Sequence, residues 1–295
     1  ALSCAPPYAS VPADLRPRLE QALKFHKAFM QDYGAFVDET FADQFGPMRG
    51  SSEQRMKQAI DIFLNRKQAY FPRPHYFFMP GLPCAQFYDD RSLFPWIDGL
   101  EASTAEILAE FEQVSSDHAL FQPYVQHPQT APLDQWAALN HNRDWSAFHI
   151  VLNGKPVDAQ AARTPKTLAA LSGVDAPVIP NRCPGVMFSL LKPDTRIPPH
   201  TGDTNARLIC HLALIIPESC GFRVGNETRH WQHGQAWVFD DTIEHEAWNL
   251  SARPRVILMF DIWNPFIQPH ERDMIAALMN SRDSFMGQAA SFSGL

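Results

Sequence analysis

Two histidines stand in settings that suit metal binding. His200 follows a double proline in Pro199-His200-Thr201-Gly202, and His245 lies within Glu244-His245-Glu246, just after the acidic corner Asp240-Asp241. Neutral imidazole is a common ligand of transition metals, and rings carried on separate strands can converge on one ion. The chain has 12 histidines, so number singles out neither of these two; their surroundings do. Arg255, one strand further on, offers a planar guanidinium that clamps a carboxylate through two hydrogen bonds. Ser189, on an earlier strand, adds a hydroxyl donor for the same carboxylate. Together they suggest a metal beside a bound carboxylic acid. Asp240, Asp241, Glu244 and Glu246 either orient the second imidazole through its other nitrogen or form a solvated acidic corner.

Such groups need a rigid frame. Between Pro184 and Asn264 the chain reads as short strands rich in β-branched and aromatic residues: 186–191, 207–216, 221–224, 227–231, 235–239 and 255–263. Gly225-Asn226 marks a hairpin turn, and Pro and Gly punctuate the remainder. Strands this short and close predict an antiparallel barrel or jelly roll with His200 and His245 at its rim. Upstream, 144–152 reads as a strand ended by Asn153-Gly154, and His75–Met79 as an aromatic strand between prolines. Ser103–Val114 reads as a helix with Ser103 and Glu106 as a capping box. Residues 115–139 read as a polar surface loop. Further helices are predicted over 161–171 and 271–279, followed by a Gly/Ser-rich tail. Trp231, Trp237, Trp248 and Trp263 read as core filler.

The N-terminal part differs in kind. Leu15, Leu19, Leu23 and Phe29 recur at helical spacing, and Met56, Ile60, Ile62, Phe63 and Leu64 form a second apolar face, with turns at Gly46-Pro47 and Gly50–Ser52. Two helices bury too little surface to stand alone and are expected to pack on the main domain or on a second subunit. The division is thus an N-terminal helical segment, 1–73, and a main domain, 74–295.

At 295 residues, with 45% hydrophobic content and 12% aromatics, the chain can build a substantial core. A net charge of −7 with scattered basic residues argues against a nucleic-acid partner. Five cysteines without a Cys-x-x-Cys spacing indicate neither a zinc ribbon nor a disulfide scaffold. Reduced thiols, no signal-peptide pattern over Ala1–Ser10 and no run long enough for a membrane span lead to the expectation of a cytoplasmic protein. The oligomeric state is not legible.

At this density of motifs the chain resembles the aspartyl/asparaginyl β-hydroxylase family, iron(II)- and 2-oxoglutarate-dependent oxygenases. The resemblance runs over about 75–270 and rests on Ser189, Pro199-His200-Thr201-Gly202, Thr204-Asn205, Arg207-Leu208, His211-Leu212, Asn226-Glu227-Thr228, Phe239-Asp240-Asp241, Glu244-His245-Glu246, Arg255 and Asp261-Ile262-Trp263-Asn264-Pro265. It implies a mainly β fold with flanking helices, a double-stranded β-helix (jelly-roll, cupin-like), plus the N-terminal helical segment. His200 and His245 match the iron ligands; Ser189 and Arg255 match the groups that hold the distal carboxylate of 2-oxoglutarate. His211 matches a residue near its keto acid end, Arg207 one facing the substrate's carboxylate, and Trp145 one lining the pocket.

Two departures carry information. Gly202 stands where many wider relatives have a metal-binding carboxylate, in line with a family in which water takes that place. Asp203 is expected on the opposite face if the strand continues. Ile209 replaces a second arginine of the family, which weakens the case for an acidic substrate. The implied reaction is hydroxylation of a peptidyl aspartyl or asparaginyl residue, or of a small amino-acid-like molecule, with succinate and CO2 as co-products. The alternatives are an acyl-chain hydroxylase of the lipid A type, a halogenase that uses the room left by Gly202, and a non-catalytic carboxylate- or metal-binding barrel.

Overall fold

Strand β6 (Arg207–Ile215) shows how the layers arise. Successive strand residues point to opposite faces. Leu208, Cys210, Leu212 and Leu214 enter one apolar layer, whereas Arg207, Ile209 and His211 line a cavity on the other side. Both faces are covered, so the strand reads as a near-continuous apolar run. β11 (Arg255–Trp263) repeats the pattern, with Val256, Leu258, Phe260 and Ile262 in the same apolar layer and Arg255, Ile257, Met259 and Asp261 lining the cavity.

The computed structural model describes residues 8–46, 51–128, 130 and 132–286. It divides into two compact units, 1–69 and 70–295. Among the described residues the second contains eleven strands. β1 (Gln122–Pro123), β2 (Trp145–Leu152), β3 (Lys155–Pro156), β4 (Val186–Leu191), β6, β9 (Ala236–Phe239) and β11 form the larger sheet, in the order β1-β2-β4-β11-β6-β9 with β3 beside β2. β5 (Thr195–His200), β7 (Cys220–Val224), β8 (Glu227–Arg229) and β10 (His245–Asn249) form the smaller one, in the order β5-β10-β7-β8. From β4 onward the chain shuttles between the two sheets, and all the pairings are antiparallel. This is the double-stranded β-helix.

The outer face of the larger sheet is sealed by α3 (Ile97–Ala102) and α4 (Thr104–Ser115), whose Leu100, Ile107, Phe111 and Val114 pack with Phe148, Phe188 and Leu212. Between the sheets, Trp145, Ile209, Phe222, Phe239 and Ile257 form a second cluster. Among the described residues no helix is long and apolar enough to cross a membrane.

Several local expectations change in the folded chain. The capping box at Ser103 does not form, because α3 runs straight into α4. Ser103 therefore closes one helix and opens the next, and its hydroxyl donates back to Gly99 O at 2.9 Å. The helix expected over 161–171 splits into α5 (Asp158–Ala161) and α6 (Pro165–Ala170), since Pro165 has no N–H and starts a new first turn. The aromatic strand at 75–79 is reduced to one parallel bridge, Phe77 to Thr204. The last helix is longer than expected, α7 (Pro269–Met286).

The N-terminal unit holds α1 (Arg16–Phe45) and α2 (Ser51–Phe63). Gly34 is buried under the chain that follows α2: a Cβ there would meet Arg66 Nη2 at 2.2 Å. Arg66 in turn pairs with Asp38 at 2.9 Å, and Tyr33 meets Phe63 edge-on at 6.5 Å. Most of the turn expected between the helices, and the Gly/Ser-rich tail after 286, lie outside the described residues.

Candidate active site

Strand pairing brings the two histidines together. His245 on β10 is the cross-strand partner of His200 at the end of β5, and their ring centroids are 4.0 Å apart. His200 Nδ1 lies 2.8 Å from Pro198 O and His245 Nδ1 3.1 Å from Ile243 O. A carbonyl oxygen only accepts, so each Nδ1 carries the proton and each Nε2 keeps a lone pair. Burial lowers both imidazoles, His245 to about 4 and His200 well below its ordinary value, with His245 itself adding to the effect on His200. Both rings are neutral at pH 7, the form a metal requires.

These rings open on a cavity of about 630 Å³ between the sheets. All seven residues singled out in the sequence line it: Trp145, Ser189, His200, Arg207, His211, His245 and Arg255. Register explains the convergence. Ser189 lies opposite Ile257, and Leu191 opposite Arg255, so Ser189 and Arg255 are diagonal neighbours on the inner face of the larger sheet.

Arg255 is 1% exposed, and its Nε and Nη1 have no hydrogen-bond partner among the described residues. Its guanidinium stands 5.1 Å from the Trp231 ring centroid. Burial lowers its pKa to about 10. Ser189 Oγ accepts from Trp145 Nε1 at 3.1 Å, which leaves the hydroxyl proton to donate elsewhere. His211 packs among Phe222, Trp231 and Phe239; its Nδ1 is buried without a hydrogen-bond partner among the described residues, and burial followed by the Arg255 charge holds it well below its ordinary pKa. Trp231 is thus both core filler and cavity wall.

Arg207 is engaged within the chain. Its Nη1 donates to Asp261 Oδ1 at 2.9 Å and its Nη2 lies 3.2 Å from Asp241 Oδ2. Asp261 also accepts from Gly185 N at 2.6 Å, and burial raises both carboxyls against the lowering effect of Arg207. The guanidinium therefore faces two carboxylates of its own chain. The acids around His245 do not hold its ring either. Its Nδ1 goes to a backbone carbonyl, Glu244 and Glu246 bind Arg223, and Asp240 accepts from Thr242. Half of this corner is withdrawn from solvent, since Asp240 and Asp241 are buried, while Glu244 and Glu246 stay partly exposed.

Asp203 lines the same cavity, contrary to the alternation argument, because β5 stops at His200 and the chain leaves the sheet before Asp203. Among the described residues no group of three or more His, Cys, Asp and Glu side chains is arranged to hold one ion. The reason is visible at Gly202, where a Cβ would lie 2.0 Å from Asp241 Oδ2. The Asp241 carboxylate occupies the space a side chain at 202 would need. Gly202→Ala is expected to push Asp241 off Arg207 and to cost about 2–4 kcal/mol by overpacking and loss of a buried ion pair. Urea denaturation checks this; a loss below about 0.5 kcal/mol would mean that Asp241 is free to move aside.

One wall of the site was missed in the sequence. Tyr124 stacks on Trp145 at 3.9 Å between centroids, and Trp136 meets the His200 ring at 5.0 Å. Both come from the stretch read as a plain surface loop. The available signal was two large aromatics inside a long connection, the kind of loop that more often serves function.

The comparisons with known proteins follow the same outline. The sequence profile of the family described as Aspartyl/Asparaginyl beta-hydroxylase matches residues 101–265. The chain is 37% identical over 141 residues to the mouse aspartyl/asparaginyl beta-hydroxylase, covering 48% of this chain and 19% of that one. It is 34% identical over 200 residues to an ornithine lipid ester-linked acyl 2-hydroxylase of Rhizobium tropici, covering 65% of each. Aspartate beta-hydroxylase domain-containing protein 2 of Xenopus tropicalis is 29% identical over 221 residues, 73% of this chain and 57% of that one. The chain spans less than two thirds of the length of these relatives. Among solved structures, a cupin domain from Bordetella pertussis is 15% identical with a TM-score of 0.23, over 27% of this chain and 80% of that one.

Proposed function

Because the chain belongs to the aspartyl/asparaginyl β-hydroxylase family, whose profile covers more than half of it, we propose that it is an iron(II)- and 2-oxoglutarate-dependent hydroxylase of a peptidyl aspartyl or asparaginyl residue or a small amino-acid-like molecule. The observation that carries this reading is Arg255, a deeply buried guanidinium with two nitrogens that find no partner among the described residues, on the wall of the cavity that also holds the paired histidines. An unpaired buried charge is costly, and a dianionic acid beside a metal is the ligand that would relieve it.

The donor set suits such a pair of guests. His200 and His245 supply two neutral nitrogens, each oriented by a backbone carbonyl. Arg255 and Ser189 receive the distal carboxylate, the first by a charged fork and the second through the proton left free by Trp145. His211 has an unpartnered ring nitrogen for the keto acid end. Tyr124, Trp136 and Trp145 wall the site beside His200 and keep water from it. The Arg207–Asp241–Asp261 cluster fixes the floor next to Gly202. When bound, iron and 2-oxoglutarate supply the activation of dioxygen and delivery of one oxygen atom to the substrate, with release of succinate and CO2.

A second reading, hydroxylation of an acyl chain, is favoured by a specific observation. Arg207 is neutralised by Asp241 and Asp261, while Ile209, Met187, Met259 and Leu152 line the cavity, so its substrate side offers apolar surface more than a free cation. The test is succinate release with iron(II), ascorbate and air, followed by mass spectrometry for one added oxygen on Asp/Asn peptides, amino acids and acylated lipids. Succinate formation with oxygen added to one panel is expected. Absence of 2-oxoglutarate turnover and of any stabilisation by 2-oxoglutarate would overturn the assignment.

A further inference from the structure

Helix α1 leaves one long face uncovered. Phe25, Phe29 and Phe36 are 74%, 54% and 66% exposed, far more than isolated surface phenyl rings require. With Arg18 and Asp43 they fall on one stripe of alternating four- and three-residue steps, and Ala22, Asp32 and Glu39 fill its remaining positions. All eight are exposed, whereas Tyr33 and Gly34, which meet Phe63 and Arg66, lie on the face turned toward α2. Steps of four and three are the spacing that a paired helix reads as its seam.

Charge along the helix adds a second, independent observation. The first half carries Arg16, Arg18, Lys24 and Lys27 against Glu20 alone; the second half carries Asp32, Asp38, Glu39 and Asp43 and no cation. Its first turn has no acid and its last turn no base. This distribution opposes the helix dipole, which favours acids at the N-terminus and bases at the C-terminus. An antiparallel neighbour of the same sequence reverses the penalty, because it lays an acidic half along a basic one.

We propose that α1 pairs antiparallel with α1 of a second copy of this chain about a two-fold axis, Phe25 against Phe36 and Arg18 against Asp43. One register satisfies both pairs, and symmetry makes each occur twice. In the same register Phe29 meets Asp32, whose carboxylate stays at the rim, and Glu39 extends over Ala22. The helix is about 45 Å long, so the seam spans most of its length. The six phenyl rings would cover on the order of 800 Å², at the low end for a specific interface, so the dimer dissociates on dilution.

The test is sedimentation equilibrium of the full chain from about 1 to about 100 µM, with far-UV circular dichroism to confirm helix content. A concentration-dependent dimer is expected. Phe25→Glu with Phe36→Glu abolishes it. Arg18→Asp or Asp43→Arg alone weakens it at least about tenfold through like-charge contacts, and the two together restore it. A monomer at every concentration, a dimer unaffected by the Phe pair, or a double swap that fails to restore pairing overturns the proposal. So does binding of the monomer to anionic phospholipid vesicles through the same phenylalanines, which assigns the stripe to a membrane surface.

Discussion

His200→Ala and His245→Ala are each expected to lower kcat/KM for succinate release at least about a thousandfold, or about 4 kcal/mol in the barrier. The size follows from how few donors there are. Among the described residues no third His, Cys, Asp or Glu joins the pair, so at the proposed iron site each substitution would remove half of the protein's ligands. Each Nδ1 bonds one backbone carbonyl, at Pro198 or Ile243, and the rings pack against Trp136 and Trp145 or Phe222 and Phe239, contacts whose loss costs some stability without removing an element of the fold. Both are neutral at pH 7, so removal leaves no uncompensated charge. The expected signature is therefore a folded protein with unaltered circular dichroism that no longer retains iron(II) by direct metal analysis. A variant that keeps its iron and loses less than tenfold would show that the ion sits elsewhere, and the reading of the cavity would fall with it.

How much of this was open to inspection in the chain itself depends on the range of the interaction. Period-two alternation settles which residues of β6 and β11 face inward, and so groups Arg207, Ile209 and His211, then Arg255 and Asp261, without coordinates. The pairing of His200 with His245 follows once β5 and β10 are neighbours. What alternation does not carry is the state of those groups. Arg207 reads as a free cation until Asp241 and Asp261 arrive from a loop and another strand, and Gly202 reads as an empty ligand position until Asp241 is seen to fill it. Asp203 would face away from the site only if the strand ran on, and it reaches the cavity because β5 ends at His200. Tyr124 and Trp136 join the site through stacking on Trp145 and an edge contact with His200, which no local pattern encodes.

Arg255→Met is expected to do two opposite things: raise the KM for 2-oxoglutarate at least about a hundredfold, through loss of a buried charge-assisted pair, and raise the stability of the ligand-free protein. The second effect distinguishes a binding residue from a structural one. Burial lowers the Arg255 pKa to about 10, so below that pH the native state carries a charge it disfavours relative to the unfolded chain. At 1.36 kcal/mol per unit this is a penalty of about 3 kcal/mol, an upper figure because cavity water can relieve part of it. Methionine fills the path of the side chain as far as Nε without the charge, and a gain of about 1–2 kcal/mol is expected. Arg255→Lys keeps the charge but loses the planar fork, and should fall between the two in KM. In thermal melts, 2-oxoglutarate with a redox-inert divalent metal should raise the parent's Tm and leave that of the methionine variant in place. If the methionine variant proves less stable than the parent, the guanidinium is already neutralised inside the folded chain, and the distal carboxylate must be held by something else.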